Sequence, residues 1–239
     1  MLKIFKDLNE ISRYAARAFV DIANQSINMR GQFRTALSGG STPMRLYEML
    51  GIEFPNAVDW TYVHFFWGDE RCVPEDDRDN TYGQVKRALF DKINMPAGNI
   101  HRIQTDLAPA DAAIDYGHTL MQFADPPLTW PRFDLVLLGL GEDGHTASLF
   151  PGSPVEVDSP TLVVTAEYMG RPANRVTLTQ QVFNSAKNVF FLVSGKSKST
   201  ALFNTLKGGY APQKNPAQRI DPQDGELTWL VDEEAASLL

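Results

Sequence analysis

The chain has 239 residues, 43% hydrophobic and 21% charged, a balance that supports a sizeable core and excludes wholesale disorder. Twenty-nine acidic against 22 basic side chains leave a formal net charge of −7. That excludes a nucleic-acid binder working through a broad basic surface, while a small cationic pocket still fits inside an acidic protein. The one cysteine, Cys72, can make neither an intrachain disulfide nor a cysteine-built zinc site.

From the N-terminus, Met1–Asp7 becomes charged before any apolar run long enough for a signal peptide. Ile11, Tyr14, Ala15, Ala18, Phe19, Ile22 and Ala23 repeat at helical spacing with Gly31 as a stop, which predicts a helix over Asn9–Met29. Thr35–Leu37 is a short strand candidate running into Ser38-Gly39-Gly40-Ser41-Thr42-Pro43, and a helix follows from Pro43. Tyr62–Trp67 reads as a second strand, Arg78–Phe90 as a helix, and Ala110–Ala124 as another with Ala113, Ile114, Gly117, Leu120 and Met121 on one face. Phe133–Leu138 is almost continuously apolar, as a strand covered on both faces must be, yet the stretch Leu135–Leu140 is too short to span a bilayer. Further strands are expected at Thr161–Thr165, Arg175–Thr179, Asn188–Val193 and Thr228–Val231, with a helix near Ser199–Lys207. The proline-rich stretches Asp125–Pro131 and Pro212–Pro222 read as surface loops. Strands alternating with helices predict an α/β fold with a mainly parallel sheet, in one domain over residues 1–239. A cytoplasmic protein without a membrane partner is expected.

Three polar loops at strand ends are where chemistry is expected. In the first, Ser38, Gly39, Gly40, Ser41 and Thr42 expose backbone N–H groups and hydroxyls at a helix start. That suits a phosphate, and equally a tight turn with a capping serine. In the second, Trp67-Gly68-Asp69-Glu70-Arg71 packs two carboxylates and a guanidinium into three residues. It is either a set of orienting and anion-holding groups or a solvated cluster of local ion pairs. Cys72 beside it reads as a small packing residue.

The third, Gly139-Leu140-Gly141-Glu142-Asp143-Gly144-His145, places an acid two residues before a histidine. An imidazole can take a proton from water at neutral pH, with Asp143 accepting its other N–H or orienting the water. The plainer reading is that the pair caps a following helix. The remaining histidines, His64, His101 and His118, have no metal-ligand spacing, so no metal site is expected. Arg175, Lys196 and Lys198 lie downstream, where basic side chains could complete a phosphate pocket.

Taken together, Leu37–Pro43, Trp67-Gly68-Asp69-Glu70-Arg71-Cys72-Val73-Pro74 and Gly139–Gly152 resemble the 6-phosphogluconolactonase family over nearly the whole chain. The resemblance implies a Rossmann-like α/β domain, similar to the glucosamine-6-phosphate deaminase and ribose-5-phosphate isomerase group. It also implies hydrolysis of 6-phospho-D-glucono-1,5-lactone to 6-phosphogluconate, the second step of the oxidative pentose phosphate pathway. Carried over residue by residue, it implies His145 as the base that activates water, with Asp143, Arg71 and Asp69 assisting. The substrate phosphate would sit on Ser38–Thr42, Arg175 and Lys198; Lys196 matches less well. No metal or organic cofactor is implied, and the protein is expected to be a monomer or small homo-oligomer.

Two other readings are an amino sugar phosphate isomerase or deaminase and a non-enzymatic phosphosugar sensor. The related deaminases carry Asp-Glu-Tyr in the second loop and a ring-opening glutamate five residues after the histidine; this chain has Arg71 and Phe150 there. Retention of both His145 and Asp143 argues against the sensor.

Overall fold

A computed structural model describes all 239 residues. In chain order it begins with β1 (Leu2–Phe5), α1 (Leu8–Arg30), β2 (Phe33–Leu37), α2 (Ser41–Glu53), β3 (Val63–Trp67) and β4 (Asp69–Arg71). Then come α3 (Thr81–Ala88), β5 (Ile100–His101), α4 (Pro109–Gln122), β6 (Leu135–Gly139) and β7 (Thr161–Thr165). β8 (Asn174–Leu178), α5 (Gln180–Asn184), β9 (Asn188–Val193), α6 (Ser199–Leu206) and β10 (Glu226–Asp232) complete it.

The local chemistry explains most of these boundaries. Asp7 accepts the Glu10 N–H at 3.0 Å and caps α1, whose buried Ile11, Ala15, Phe19 and Ala23 recur every fourth residue. α3 is shorter than its apolar pattern predicts, because Asn80 takes the Gly83 N–H at 2.9 Å and residues 78–80 become its entry turn. In α4 the buried residues are Ala112, Ala113, Tyr116 and Leu120. Ile114 and Met121, expected on the core face, are instead exposed. Tyr116 decides the orientation, since its hydroxyl both accepts from Trp67 N (2.7 Å) and donates to Trp67 O (2.9 Å) in the interior.

Seven strands form one sheet in the order β1-β10-β9-β6-β2-β3-β5, and every pairing in it is parallel. β6 is buried on both faces, as its unbroken apolar run requires. A second, three-stranded sheet of order β4-β8-β7 is antiparallel. Gly68 alone separates β3 in the large sheet from β4 in the small one. Its N–H donates to Leu37 O at 2.7 Å and its carbonyl accepts Leu178 N–H at 2.8 Å, so the two sheets are joined at this residue.

From β2 the chain moves outward to β3 in one direction, and from β6 to β9 in the other. The carboxyl ends of β2 and β6 therefore flank a switch point, where open α/β sheets place their ligands. The segment 212–222 is only partly the surface loop expected of it. Pro216, Ala217 and Arg219 are buried, and Arg219 donates to the carbonyls of Pro212, Pro154 and Ser153. No helix is long and apolar enough to cross a membrane.

Candidate active site

The cleft at the switch point is lined by Ser38, Gly39, Gly40, Ser41, Thr42, Asp69, Arg71, His145, Arg175 and Lys198. Asp143 completes the expected set through its contact with His145. The structure thus brings the three loops together from positions more than 100 residues apart in the chain.

The first loop is anchored at Ser38, whose N–H donates to the buried Tyr47 hydroxyl (3.2 Å) while that hydroxyl donates to Ser38 O (3.0 Å). Burial drives the Tyr47 phenol well above its ordinary pKa, which keeps it a donor. α2 then starts at Ser41 with no side-chain cap, so its first-turn N–H groups are available to a ligand. Gly39 cannot carry a side chain: a Cβ there would stand 2.7 Å from Thr81 Oγ1 and 3.5 Å from Arg71 Nη1. The buried Ser38 Oγ and Thr81 Oγ1 have no hydrogen-bond partner in the protein.

The second loop is a strand, and its period of two sorts the charges. Asp69 and Arg71 face the cleft, while Glu70 points the other way and is wholly enclosed. Asp69 accepts Ser148 Oγ at 2.6 Å. Glu70 accepts the backbone N–H groups of Arg71, Thr81 and Tyr82, each at 2.8 Å, clipping β4 to the start of α3. Burial pushes its carboxyl up to about 7 against the pull of those three donors. This is an ordered charge array, not the solvated cluster that the local sequence also allowed. Half-buried Cys72 has its thiol pushed up by burial and by Glu70, the opposite of what a nucleophile needs.

Arg71 in β4 lies directly opposite Arg175 in β8. Like charges in that register repel, and the repulsion is relieved by an anion between or above them. Arg71 Nη1 donates to Asp79 O at 2.9 Å, and Arg175 Nε donates to Pro172 O at 3.1 Å. Arg71 Nε and Arg175 Nη2 are buried without partners. Burial lowers the Arg175 pKa, Asp69 opposes that, and Arg71 and Arg171 push in the same direction as burial. Lys198 ends the turn after β9 and lines the cleft, with Nζ 3.9 Å from Glu142 Oε1; Lys196 is exposed and lies outside it.

In the third loop Asp143 Oδ1 accepts both the His145 N–H (3.1 Å) and His145 Nδ1–H (2.5 Å). With the ring proton on Nδ1, Nε2 keeps a free lone pair, which is the arrangement of a general base. Burial would raise the Asp143 carboxyl, but the hydrogen bond and charge of His145 outweigh it and hold the carboxyl below its ordinary value. A Cβ at Gly141 would collide with the imidazole and with the Asp143 carboxylate, so the loop closes this tightly only with glycine there. The pair does not cap a helix, for residues 146–152 form turns and one isolated bridge. No three His, Cys, Asp or Glu side chains are grouped to share a metal ion.

Several residues around the site were not among the candidates read from the sequence. Ala147 lines the cleft with φ of 48°, a conformation costly for a residue with a side chain. Phe150 lies against the His145 ring (centroids 4.4 Å apart) and beneath the Arg175 guanidinium (5.2 Å). Tyr168, also in the cleft lining, meets His145 edge-on from the β7–β8 hairpin. Its only hint in sequence is the turn-forming Gly170 and Pro172 between two strand candidates.

Comparison with known proteins is consistent along the whole chain. A 6-phosphogluconolactonase from Synechocystis sp. is 42% identical over 217 residues, covering 90% of this chain and 88% of that protein. The structure titled as that of 6-phosphogluconolactonase from Trypanosoma brucei superposes with a TM-score of 0.86 at 30% identity, covering 100% of this chain and 98% of that one. A monomeric glucosamine-6-phosphate deaminase, 22% identical, shares the fold with a TM-score of 0.83 over 100% of this chain and 99% of its own. A family model described as "Glucosamine-6-phosphate isomerases/6-phosphogluconolactonase" matches residues 6–229. On these similarities and the shared architecture, the chain belongs to the glucosamine-6-phosphate isomerase/6-phosphogluconolactonase family.

Proposed function

We propose that the protein hydrolyses 6-phospho-D-glucono-1,5-lactone to 6-phospho-D-gluconate. The observation that carries this reading is that one cleft gathers a set of anion-holding groups and a paired base. Arg71, Arg175, Lys198 and the Ser38–Thr42 N–H groups form the first, and the Asp143–His145 pair forms the second. The naming of the relatives as 6-phosphogluconolactonases supports it.

The phosphate is held by the cationic groups, where Arg71 and Arg175 share its charge. Arg71 stands against Gly39 and opposite Arg175, so we assign it to the phosphate in preference to the oxygen at C1. Binding energy gained at the phosphate, remote from the reacting carbon, fixes the lactone carbonyl near His145. His145 Nε2 takes a proton from the water that attacks C1 and returns it to the ring oxygen as the C1–O bond breaks. Asp143 stabilises the imidazolium formed between the two transfers, and Asp69 fixes the loop through Ser148. The lactone is an activated ester, so no covalent intermediate is needed, and the Ser148 hydroxyl is committed to Asp69.

The test is turnover of freshly formed 6-phosphogluconolactone above its spontaneous rate. His145→Ala should lower kcat by roughly 10²–10⁴-fold. Near-normal kcat in that variant would remove the base assignment. No acceleration by the wild type would send the assay to amino sugar phosphates.

A further inference from the structure

His145 is walled in on three sides. Gly141 and Asp143 close one, and the Phe150 ring, tilted by 33° at 4.4 Å, closes a second. Both walls belong to the same loop as the histidine. The third is Tyr168, whose ring stands at 81° to the imidazole with centroids 4.6 Å apart. It comes from the tip of the β7–β8 hairpin in the other sheet. Phe150 and Tyr168 also touch one another, with centroids 5.8 Å apart.

The hairpin tip is tied on both sides. The Tyr168 hydroxyl accepts the Glu142 N–H at 3.3 Å, reaching the loop that carries Asp143 and His145. Tyr168 and Arg171 bridge to each other, and Arg171 pairs with the buried Asp79 carboxylate. Asp79 in turn holds Arg71 through its carbonyl. Burial first, and then the charges of Asp143 and Glu142, raise the Tyr168 pKa, so the phenol stays neutral beside the pair.

We propose that Tyr168 is a positioning residue for His145. Its ring holds the imidazole plane so that Nδ1 stays on Asp143 and Nε2 stays open to the cleft, and the tethered hairpin tip holds the ring. The inference rests on the lactonase reading above only for its kinetic readout. An imidazole held on one side by one hydrogen bond and on another by Phe150 could still rotate away from Asp143 if the Tyr168 edge were withdrawn. Small displacements of a catalytic group are costly to rate and nearly neutral to binding.

The experiment compares wild type, Tyr168→Phe, Tyr168→Leu and Arg171→Ala in lactone hydrolysis, with His145→Ala as the control. Imidazole nitrogen NMR of each protein is recorded without ligand, the wild type having four histidines and His145→Ala lacking the one of interest. Tyr168→Leu should lower kcat about 10-fold and leave KM within about two-fold. Tyr168→Phe should restore most of kcat, because it keeps the ring. His145 should show one Nδ1–H tautomer in wild type and in Tyr168→Phe, and a mixture in Tyr168→Leu. Arg171→Ala frees the tip without altering the ring, and should lower kcat by roughly 2–5-fold, so it carries the kinetic test if Tyr168→Leu does not fold.

The proposal is overturned if kcat is retained in Tyr168→Leu or in a folded Arg171→Ala. It is equally overturned if the loss lies in KM, or if Tyr168→Phe falls as far as Tyr168→Leu, since then the hydroxyl is the working part. An active His145→Ala would sink the base assignment instead, and the tautomer spectra would still decide the role of Tyr168.

Discussion

Asp143 accepts two hydrogen bonds through one oxygen, so Asp143→Asn and Asp143→Ala separate two things it does. Asparagine can present an acceptor in the same place without the negative charge that steadies an imidazolium. Asp143→Asn should therefore lower kcat by roughly 10–100-fold at little change in KM, and Asp143→Ala, which also frees the ring, should lower it further. Steady-state kinetics on the lactone checks both. Among the cationic groups of the cleft, Arg175→Ala and Lys198→Ala should each raise KM for the phosphorylated lactone by about 10-fold or more. Neither should affect an unphosphorylated lactone, and an equal loss on both substrates would remove the phosphate assignment. Asp143 was legible in the sequence because glycines and charges cluster at strand ends, whereas Arg175 and Lys198 stood out only through the family resemblance, and Phe150 only as the residue in place of the deaminase glutamate. Tyr168 was not legible, since an aromatic side chain in a loop looks the same whether it packs in the core or against a base.

Among the elements, β4 is three residues long and has a carboxylate in its interior. Glu70 holds three backbone donors, two of which open α3. Glu70→Ala leaves those N–H groups enclosed and unpaired and should cost about 2–4 kcal/mol of stability, read as a lower urea midpoint. Most helices and the central strands were expected from apolar pattern together with glycine and proline signals, α1 within a residue at each end, whereas α5 was not expected at all. The small antiparallel sheet did not, because β4 reads as a polar loop when its partner strand lies about 100 residues further on. Likewise β1 and β5 are short edge strands whose pairing is decided by their neighbours, not by their own composition.

At the scale of the molecule, one acid-sensitive pair lies away from the cleft. His64 Nδ1 and His101 Nε2 are 3.0 Å apart at the far edge of the large sheet, among Phe66 and Phe123. Burial, and then the charge of His64, lowers His101 to about 4; burial and Arg34 lower His64. Folded pKa values below the unfolded one mean that the unfolded chain binds more protons between them. The pair's contribution is therefore fully present above about pH 6.5 and lost as pH falls toward 4, by about 1–2 kcal/mol after allowance for its partial exposure. Glu70, pushed up to about 7 by burial, works in the opposite direction over the same range, so the test is a difference: from pH 7.5 through 6 to 5 the urea midpoint of the wild type should fall relative to that of His101→Gln.

The two sheets also divide the labour of the cleft. Arg71 and Arg175 ride on the small sheet, whereas the Ser38–Thr42 turn and His145 follow strands of the large one. The width of the cleft is therefore a distance between sheets, bridged by the pair of hydrogen bonds at Gly68. On the proposed reading, a doubly charged phosphate drawn to both sides would act as a fastener across that seam. Amide exchange at Gly68 and Leu178 should slow when 6-phosphogluconate binds, though neither residue lines the cleft, and gluconate without the phosphate should leave both rates where they were.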